Sequence, residues 1–359
     1  MRNAASPPPP GANDPTGRAA RAARRAPSRI ARGARRMLAV LAWTASVLLT
    51  LWAAAALRFD VRIAWLRWPL ALAYLAAIAV VLVRFPRRRA HLVALLSFAL
   101  VLAWWFTLEP SNARAWQPDV AVLPYAEADG ESITIHNIRD CAYRSETDFD
   151  VRRYDKTFDL AHLETVDLYL VHWGSPMIAH TMLSFGFGRE GCVCVSIETR
   201  KEVGEEYSAV RGFFRQYELT YVVADERDLV RLRTDFRGED VYLYRLKTTP
   251  GAARGLFLEY LSRINALERS PEWYNALTSN CTSNIRGHAR PYAQDSHWDW
   301  RLVVNGYLDE MLYERGIIDN SLPFDEVHRR AHVNDLALAA DDADDFSERI
   351  RARLPGAGR

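Results

Sequence analysis

Cys281 lies inside the stretch Pro271–Ile285, with Thr278, Ser279 and Asn280 before it and Thr282, Ser283 and Asn284 after it. These are loop and helix-capping residue types, not core types. Ile285 and then Arg286–Tyr292 suit a short helix. A cysteine in the first turn of a helix faces unpaired backbone N–H groups and the positive end of the helix dipole. Both favour the thiolate, which is the nucleophilic form. Upstream, His180 follows the turn Gly174-Ser175-Pro176 and opens a predicted strand. A strand end fixes the backbone of a base and leaves one ring edge free to face a cleft. Cysteine and histidine together are the minimum set for thiol acyl chemistry. The imidazole takes the thiol proton, the thiolate attacks an ester or amide carbonyl, and the acyl group passes to water or an amine. Taken singly, a half-buried thiol beside a cap and a histidine at a sheet edge are ordinary structural features; it is their combination that points to chemistry.

A hairpin closed at Phe187 and Cys192 would set His180 opposite about Thr199, with Ser196 and Glu198 within a residue or two. A carboxylate is the usual orienter of a catalytic imidazole, so Glu198 is the candidate third residue. The backbone N–H of Cys281 and the amide of Asn280 are candidate oxyanion donors, and Asn280 suits a helix cap equally well.

The elements that must position these residues can be read in order. Strands are predicted at Ile133–Ile135, Thr165–Trp173, His180–Phe187, Cys192–Ile197, Leu219–Val223 and Val241–Leu246, from β-branched and aromatic runs bounded by turn residues. Helices are predicted over Tyr207–Glu218, Asp225–Leu232, Pro250–Glu268 and Trp298–Leu312; the third has an apolar stripe from Leu256 to Leu267. The polar run Arg139–Asp155 reads as a surface loop. The fold class is therefore α+β with a mixed or antiparallel sheet, carrying its histidine on an early strand and its cysteine on a later helix. That is the element order of a circularly permuted papain-like fold.

Ahead of this domain the chain is of another kind. Residues 1–36 carry nine arginines, one acid (Asp14) and a proline run, and read as a disordered basic arm. Residues 37–108 hold three apolar runs, Met37–Leu57, Trp68–Val83 and Ala90–Leu108. The first is 21 residues without a charge, long enough to cross a bilayer core. Four arginines in Arg84–Arg89 join the basic arm in marking the cytoplasmic side. Residues 109–130 read as a linker, 131–333 as the domain beyond the membrane and 334–359 as a solvated tail.

Composition narrows the function classes. A net charge of +2 leaves no broad nucleic-acid footprint. Four cysteines in 359 residues are too few for a disulfide scaffold. Cys192 and Cys194 share a strand face and suit core packing, with Cys141 a conceivable disulfide partner for either. Asp295–Asp299 alternates oxygen and nitrogen ligand types, a weak metal signal, and no metal or cofactor is expected. Arg200, Lys201, Arg211 and Arg215 read either as contacts to lipid phosphates or as a solvated basic face balanced by Glu202, Glu205, Glu206 and Glu218.

Several blocks resemble the Lnb N-terminal periplasmic domain family: Asp167–Ser184, Ser196–Glu202, Tyr207–Glu218, Tyr221–Asp225 and, above all, Trp273–Ile285. The similarity runs over about Glu131–Arg290. The family's name-giving protein is a bacterial lipoprotein N-acyltransferase with a cysteine–histidine pair in a cleft like that of permuted papain-like hydrolases. The resemblance therefore implies Cys281 as nucleophile and His180 as base. The three apolar runs and the arginine distribution make the chain a multi-pass protein of the bacterial inner membrane with its C-terminal domain in the periplasm, and the resemblance implies partners among membrane lipids and lipoproteins. A cell-envelope cysteine amidase or peptidase, and a non-catalytic lipid- or cell-wall-binding domain of the same fold, are the alternatives.

Overall fold

The computed structural model describes residues 29–292 and 297–354. The chain divides into two compact units, up to Trp105 and from Phe106 onward.

The first unit is three helices, α1 (Arg29–Asp60), α2 (Ala64–Arg84) and α3 (Arg87–Phe106). All three are long and apolar enough to cross a membrane, and most of their apolar side chains point outward. Polar residues within the unit are paired between helices: Ser46 with His91 at 2.9 Å, Tyr74 with Ser97 at 3.2 Å, and Trp105 donating to Asp60 at 2.8 Å. In an apolar medium such pairs matter, because water cannot satisfy the groups instead. The segment 29–36, expected as part of a disordered arm, is the helical start of α1; the rest of that arm lies outside the described residues. A run of eight arginine, alanine, isoleucine and glycine residues without proline has no reason to break the helix that follows it.

The second unit is built on one eight-stranded sheet. Its strands are β1 (Tyr125–Asp129), β2 (Ser132–Arg139), β5 (Arg153–Asp159), β6 (Thr165–His172), β7 (Ala179–Gly186), β8 (Cys192–Arg200), β9 (Glu218–Ala224) and β10 (Asp240–Arg245); β3 (Ala142–Tyr143) and β4 (Phe149–Asp150) form a separate small pair. The order is β1-β2-β9-β8-β7-β6-β10, with β5 also on β2. Every pairing is antiparallel except the short contact of β2 with β9, so the sheet is mixed and the class α+β.

Alternation along the central strands separates two cores, one per face. Leu183, Phe185, Val193, Val195 and Ile197 pack with the long helix α5 (Pro250–Arg269) and with α6 (Cys281–Ala289). Met182, Cys194, Val222 and Leu243 pack on the other face against α4 (Glu226–Arg231) and the C-terminal segment. Residues 334–359 were expected as a solvated tail. Instead α9 (Asn334–Ala340) and α10 (Phe346–Arg349) roof this second core with Ala337, Ala340, Phe346, Ile350 and Leu354 buried. They follow α7 (Leu308–Glu314) and α8 (Phe324–Ala331). The acidic composition of this segment hid a buried salt link in which Arg351 binds Glu226 and Asp167.

Two other expectations change. The expected helix Tyr207–Glu218 is instead a loop up to Tyr217, with one 3₁₀ turn at Arg211–Phe213, before Glu218 opens β9, and Tyr217 is fully buried. Of Trp298–Leu312, the part up to Tyr307 resolves into short 3₁₀ turns and only Leu308–Leu312 is helical, as the start of α7. In both, closely spaced aromatics fill irregular surfaces and do not form a regular stripe.

Candidate functional site

Cys281 is the first residue of α6. Asn280 caps the helix: its side chain accepts from the Ser283 N–H at 2.9 Å, and the Ser283 hydroxyl accepts from the Asn280 N–H at 2.9 Å. A cap of this kind is worth about 1 kcal/mol. Its Nδ2 also donates to the Ala276 carbonyl at 2.7 Å. Of the two roles open to Asn280, the geometry therefore places it in the cap.

His180 stands where the sheet splits. The ladder between β7 and β8 ends at Met182–Ser196, while β8 continues to Arg200 against β9. Beyond that point the β8-facing edge of β7 has no strand partner. The ladder sets Gly186 opposite Cys192, so His180 falls level with Glu198, one residue from the expected Thr199. His180, Ser196 and Glu198 follow the alternation of Met182 and Cys194, while Cys281 packs against the core on the opposite face. The pair meets at the split.

The hydrogen bonds assign the proton positions. Ser196 Oγ donates to Glu198 Oε1 at 2.6 Å, and His180 Nε2 lies 2.7 Å from the same hydroxyl. A hydroxyl has one proton to give, and the carboxylate takes it. His180 must then donate from Nε2, which leaves Nδ1 as the free base of the neutral ring. Glu198 itself is 4.0 Å from Nε2, so Ser196 is the direct orienter and Glu198 stands behind it. Arg233 Nη2 donates to Glu198 at 2.9 Å from a buried position. Burial pushes the Glu198 carboxyl up, but Arg233, with His180 and Arg139, holds it well below the usual carboxylate range.

Arg233 comes from a π-helical turn, Leu232–Phe236, that extends α4. Insertions of this kind inside helices recur at functional sites. Its other guanidinium nitrogen is anchored on the Leu229 carbonyl at 2.9 Å. Sequence reasoning missed Arg233; a short helix of mixed charge gives no sign of a π turn.

Burial alone would raise the Cys281 thiol. The imidazole of His180, by its charge and a hydrogen bond, and the Thr181 side chain and backbone bring it down to about 6. The Thr181 hydroxyl is buried and has no hydrogen-bond partner. The other three cysteines are free thiols too, and burial pushes each of them up, Cys141 and Cys192 to about 12.

The proposed basic patch takes a different form. Arg200 is buried, donates to the Val120 and Ala121 carbonyls and to Asn112, and stacks over Trp116 with its guanidinium 4.3 Å from the ring centre. It is a structural strut, and so is Glu218, buried beside Arg114. Neither the headgroup reading nor the solvated-face reading holds for these two. Among the described residues no cluster of histidine, cysteine and carboxylate side chains could hold a metal; Asp295 and Ser296 of the suspected site lie outside them.

Fold and site together define a chain with three apolar helices of membrane-crossing length and an α+β domain bearing a Cys–His pair at a split in its sheet. Residues 150–306 of this chain match the family described as the Lnb N-terminal periplasmic domain. The matched segment contains His180, Ser196, Glu198, Arg233 and Cys281. With the three helices, the family fits a membrane-associated protein with a periplasmic domain. No curated protein and no solved structure matches the chain.

Proposed function

We propose that the domain is a thiol acyltransferase anchored in the bacterial inner membrane, with Cys281 as nucleophile and His180 as base. The observation that carries this reading is a half-buried thiol drawn down to about 6, beside an imidazole whose far nitrogen is held by Ser196 and Glu198. His180 takes the thiol proton, and the sulfur stands as thiolate beside the ring. The thiolate attacks the carbonyl carbon of an acyl donor, and the carbonyl electrons move onto oxygen. The oxyanion forms at the head of α6, where the backbone N–H of Cys281 and the helix dipole favour negative charge. Collapse expels the donor's alcohol, which takes the imidazolium proton and leaves a thioester on Cys281. An acceptor amine then attacks the thioester, gives its proton to His180 and releases the thiolate. Glu198 stays ionised throughout and holds the ring through Ser196.

The substrate class follows from what surrounds the site. Met177 and Ile178 precede His180 and Leu277 precedes Cys281; each has more than half its surface exposed. Val210 is exposed as well, in a loop fixed to this region by the Ala276 N–H donating to the Gly212 carbonyl at 2.8 Å. An apolar surround suits a lipid acyl donor better than a polar peptide, and a lipoprotein amine is the proposed acceptor. The histidine on an early strand and the cysteine on a later helix are the element order of a permuted papain-like enzyme.

The test is alkylation of the full-length chain in membranes by a long-chain chloroacetamide and by iodoacetamide. Cys141, Cys192 and Cys194 serve as comparators. Near pH 7 a thiol of about 6 is mostly thiolate and one of about 12 almost none; after allowing for intrinsic nucleophilicity, Cys281 should react about a hundredfold faster or more. Preference for the long-chain reagent supports acyl transfer. Reaction with the small reagent alone moves a cysteine amidase or peptidase ahead. Equal, slow labelling of all four cysteines leaves a non-catalytic binding domain.

A further inference from the structure

The edge of β7 freed by the split is not left bare. At Ala179, one residue before His180, its N–H donates to Asn305 Oδ1 at 3.0 Å and its carbonyl accepts from Asn305 Nδ2 at 2.5 Å. The side-chain amide thus pairs with Ala179 as a neighbouring strand would. The second proton of the same Nδ2 goes to Thr282 Oγ1 at 2.6 Å, one residue after Cys281. Asn305 and Thr282 are both buried. One amide therefore ties the residue beside the base to the residue beside the nucleophile, and it spends both its protons and its oxygen doing so.

The backbone around Asn305 is built for this approach. The Gly306 N–H donates to the Met177 carbonyl at 3.0 Å, in the turn that leads into β7. A Cβ on Gly306 would lie 2.0 Å from the Pro176 carbonyl oxygen, so only glycine lets the chain come this close.

We propose that Asn305 is a positioning residue. By joining Ala179 to Thr282 across the split, it holds the His180 ring beside the Cys281 sulfur. The proposal rests on the thiolate–imidazolium reading above. It predicts that the two arms of the amide matter to the chemistry and not only to folding. Aspartate at this position could not donate to Thr282 and to the Ala179 carbonyl while ionised. Valine at 282 would keep the shape and remove the acceptor.

The experiment is the pH profile of iodoacetamide alkylation at Cys281 in the full-length protein, with thermal unfolding measured on every sample. The variants are Asn305→Ala, Thr282→Val and Thr282→Ser. Wild type should titrate with a midpoint near 6. Asn305→Ala and Thr282→Val should raise that midpoint by about one unit or more and slow alkylation at pH 6 about fivefold or more; Thr282→Ser should restore the wild-type profile. Should Asn305→Ala fail to fold, the Thr282 pair decides alone. A wild-type midpoint near 6 that neither folded variant moves, even as the unfolding temperature falls, overturns the positioning role and leaves the thiolate reading intact. A wild-type midpoint at the ordinary thiol value removes the thiolate reading itself, and the positioning role with it.

Discussion

Two half-buried thiols of one domain, Cys281 and Cys192, titrate in opposite directions: one falls to about 6 and the other rises to about 12. Burial pushes both up. What differs is the company. Cys192 begins β8, where burial is joined by the negative charge of Glu226. Its neighbour Cys194 lies in mid-strand, paired with Ser184 on one side and Ala224 on the other, so the backbone amides there are spent on the ladder. Cys281 begins a helix, faces a strand edge with no ladder partner, and has an imidazole beside it. A sheet interior satisfies its own backbone and leaves nothing for a thiolate; a helix start set against a split in the sheet leaves donors over. The chemistry of this domain is sited where regular pairing stops.

His180→Ala should break the contrast most completely. It removes the charge that opposes burial and leaves the burial in place. The Cys281 midpoint should then climb past the ordinary thiol value toward that of Cys192, measured by the pH dependence of alkylation. Acyl transfer should fall by about 10³-fold, within the usual range for loss of a general acid–base. A variant that keeps its midpoint near 6 would mean that Thr181 and the helix terminus suffice, and that the imidazole is not the thiol's partner.

Smaller effects are expected behind the ring. Ser196→Ala removes the hydroxyl that takes the Nε2 proton, and Glu198→Gln removes the charge that holds that hydroxyl. Each should lower the turnover rate about tenfold with little change in substrate affinity, because neither touches substrate. The double variant should cost scarcely more than Ser196→Ala alone, since Glu198 acts through Ser196. Independent, additive losses would show that Glu198, at 4.0 Å from Nε2, reaches the ring by itself.

Much of this was legible in the sequence, for identifiable reasons. The polar frame around Cys281 announces a helix cap, and a capped helix start is what the structure contains. The turn residues between Phe187 and Cys192 and the β-rich runs on either side set the β7–β8 hairpin to within one residue. The three apolar runs marked three helices. What escaped is non-local. Arg233 reaches Glu198 only because a helix takes a π turn, and periodicity cannot foresee that. Asn305 lies inside Trp298–Leu312, a stretch read as one helix, and its partners at Ala179 and Thr282 are 126 and 23 residues away in sequence. The segment from Asn334 looked solvated because its charges were counted before its spacing; Ala337, Ala340 and Phe346 face inward between them.

The smallest expected effect sharpens the comparison within one helix. α6 carries Cys281 at its start and His288 near its end. A histidine at a helix C-terminus is ordinarily favoured as a cation. Here burial, with Arg263 adding to it, pushes His288 down to about 4, and the ring is bonded to the Tyr221 hydroxyl at 2.7 Å. Burial thus wins at this end of the helix and loses at the other, where Cys281 has an opposite charge to pair with. The sign of the stability effect follows. The folded form binds its proton less readily than the unfolded chain, so the contribution is complete above about pH 6.5 and is lost as pH falls toward 4. His288→Gln keeps a hydrogen-bonding group for Tyr221 and removes the titration. The thermal midpoint of the full-length variant should lie slightly below wild type at about pH 7.5 and converge with it at about pH 5. Parallel curves at both values would mean that His288 titrates alike in the folded and unfolded chains, and that burial does not govern this end of α6.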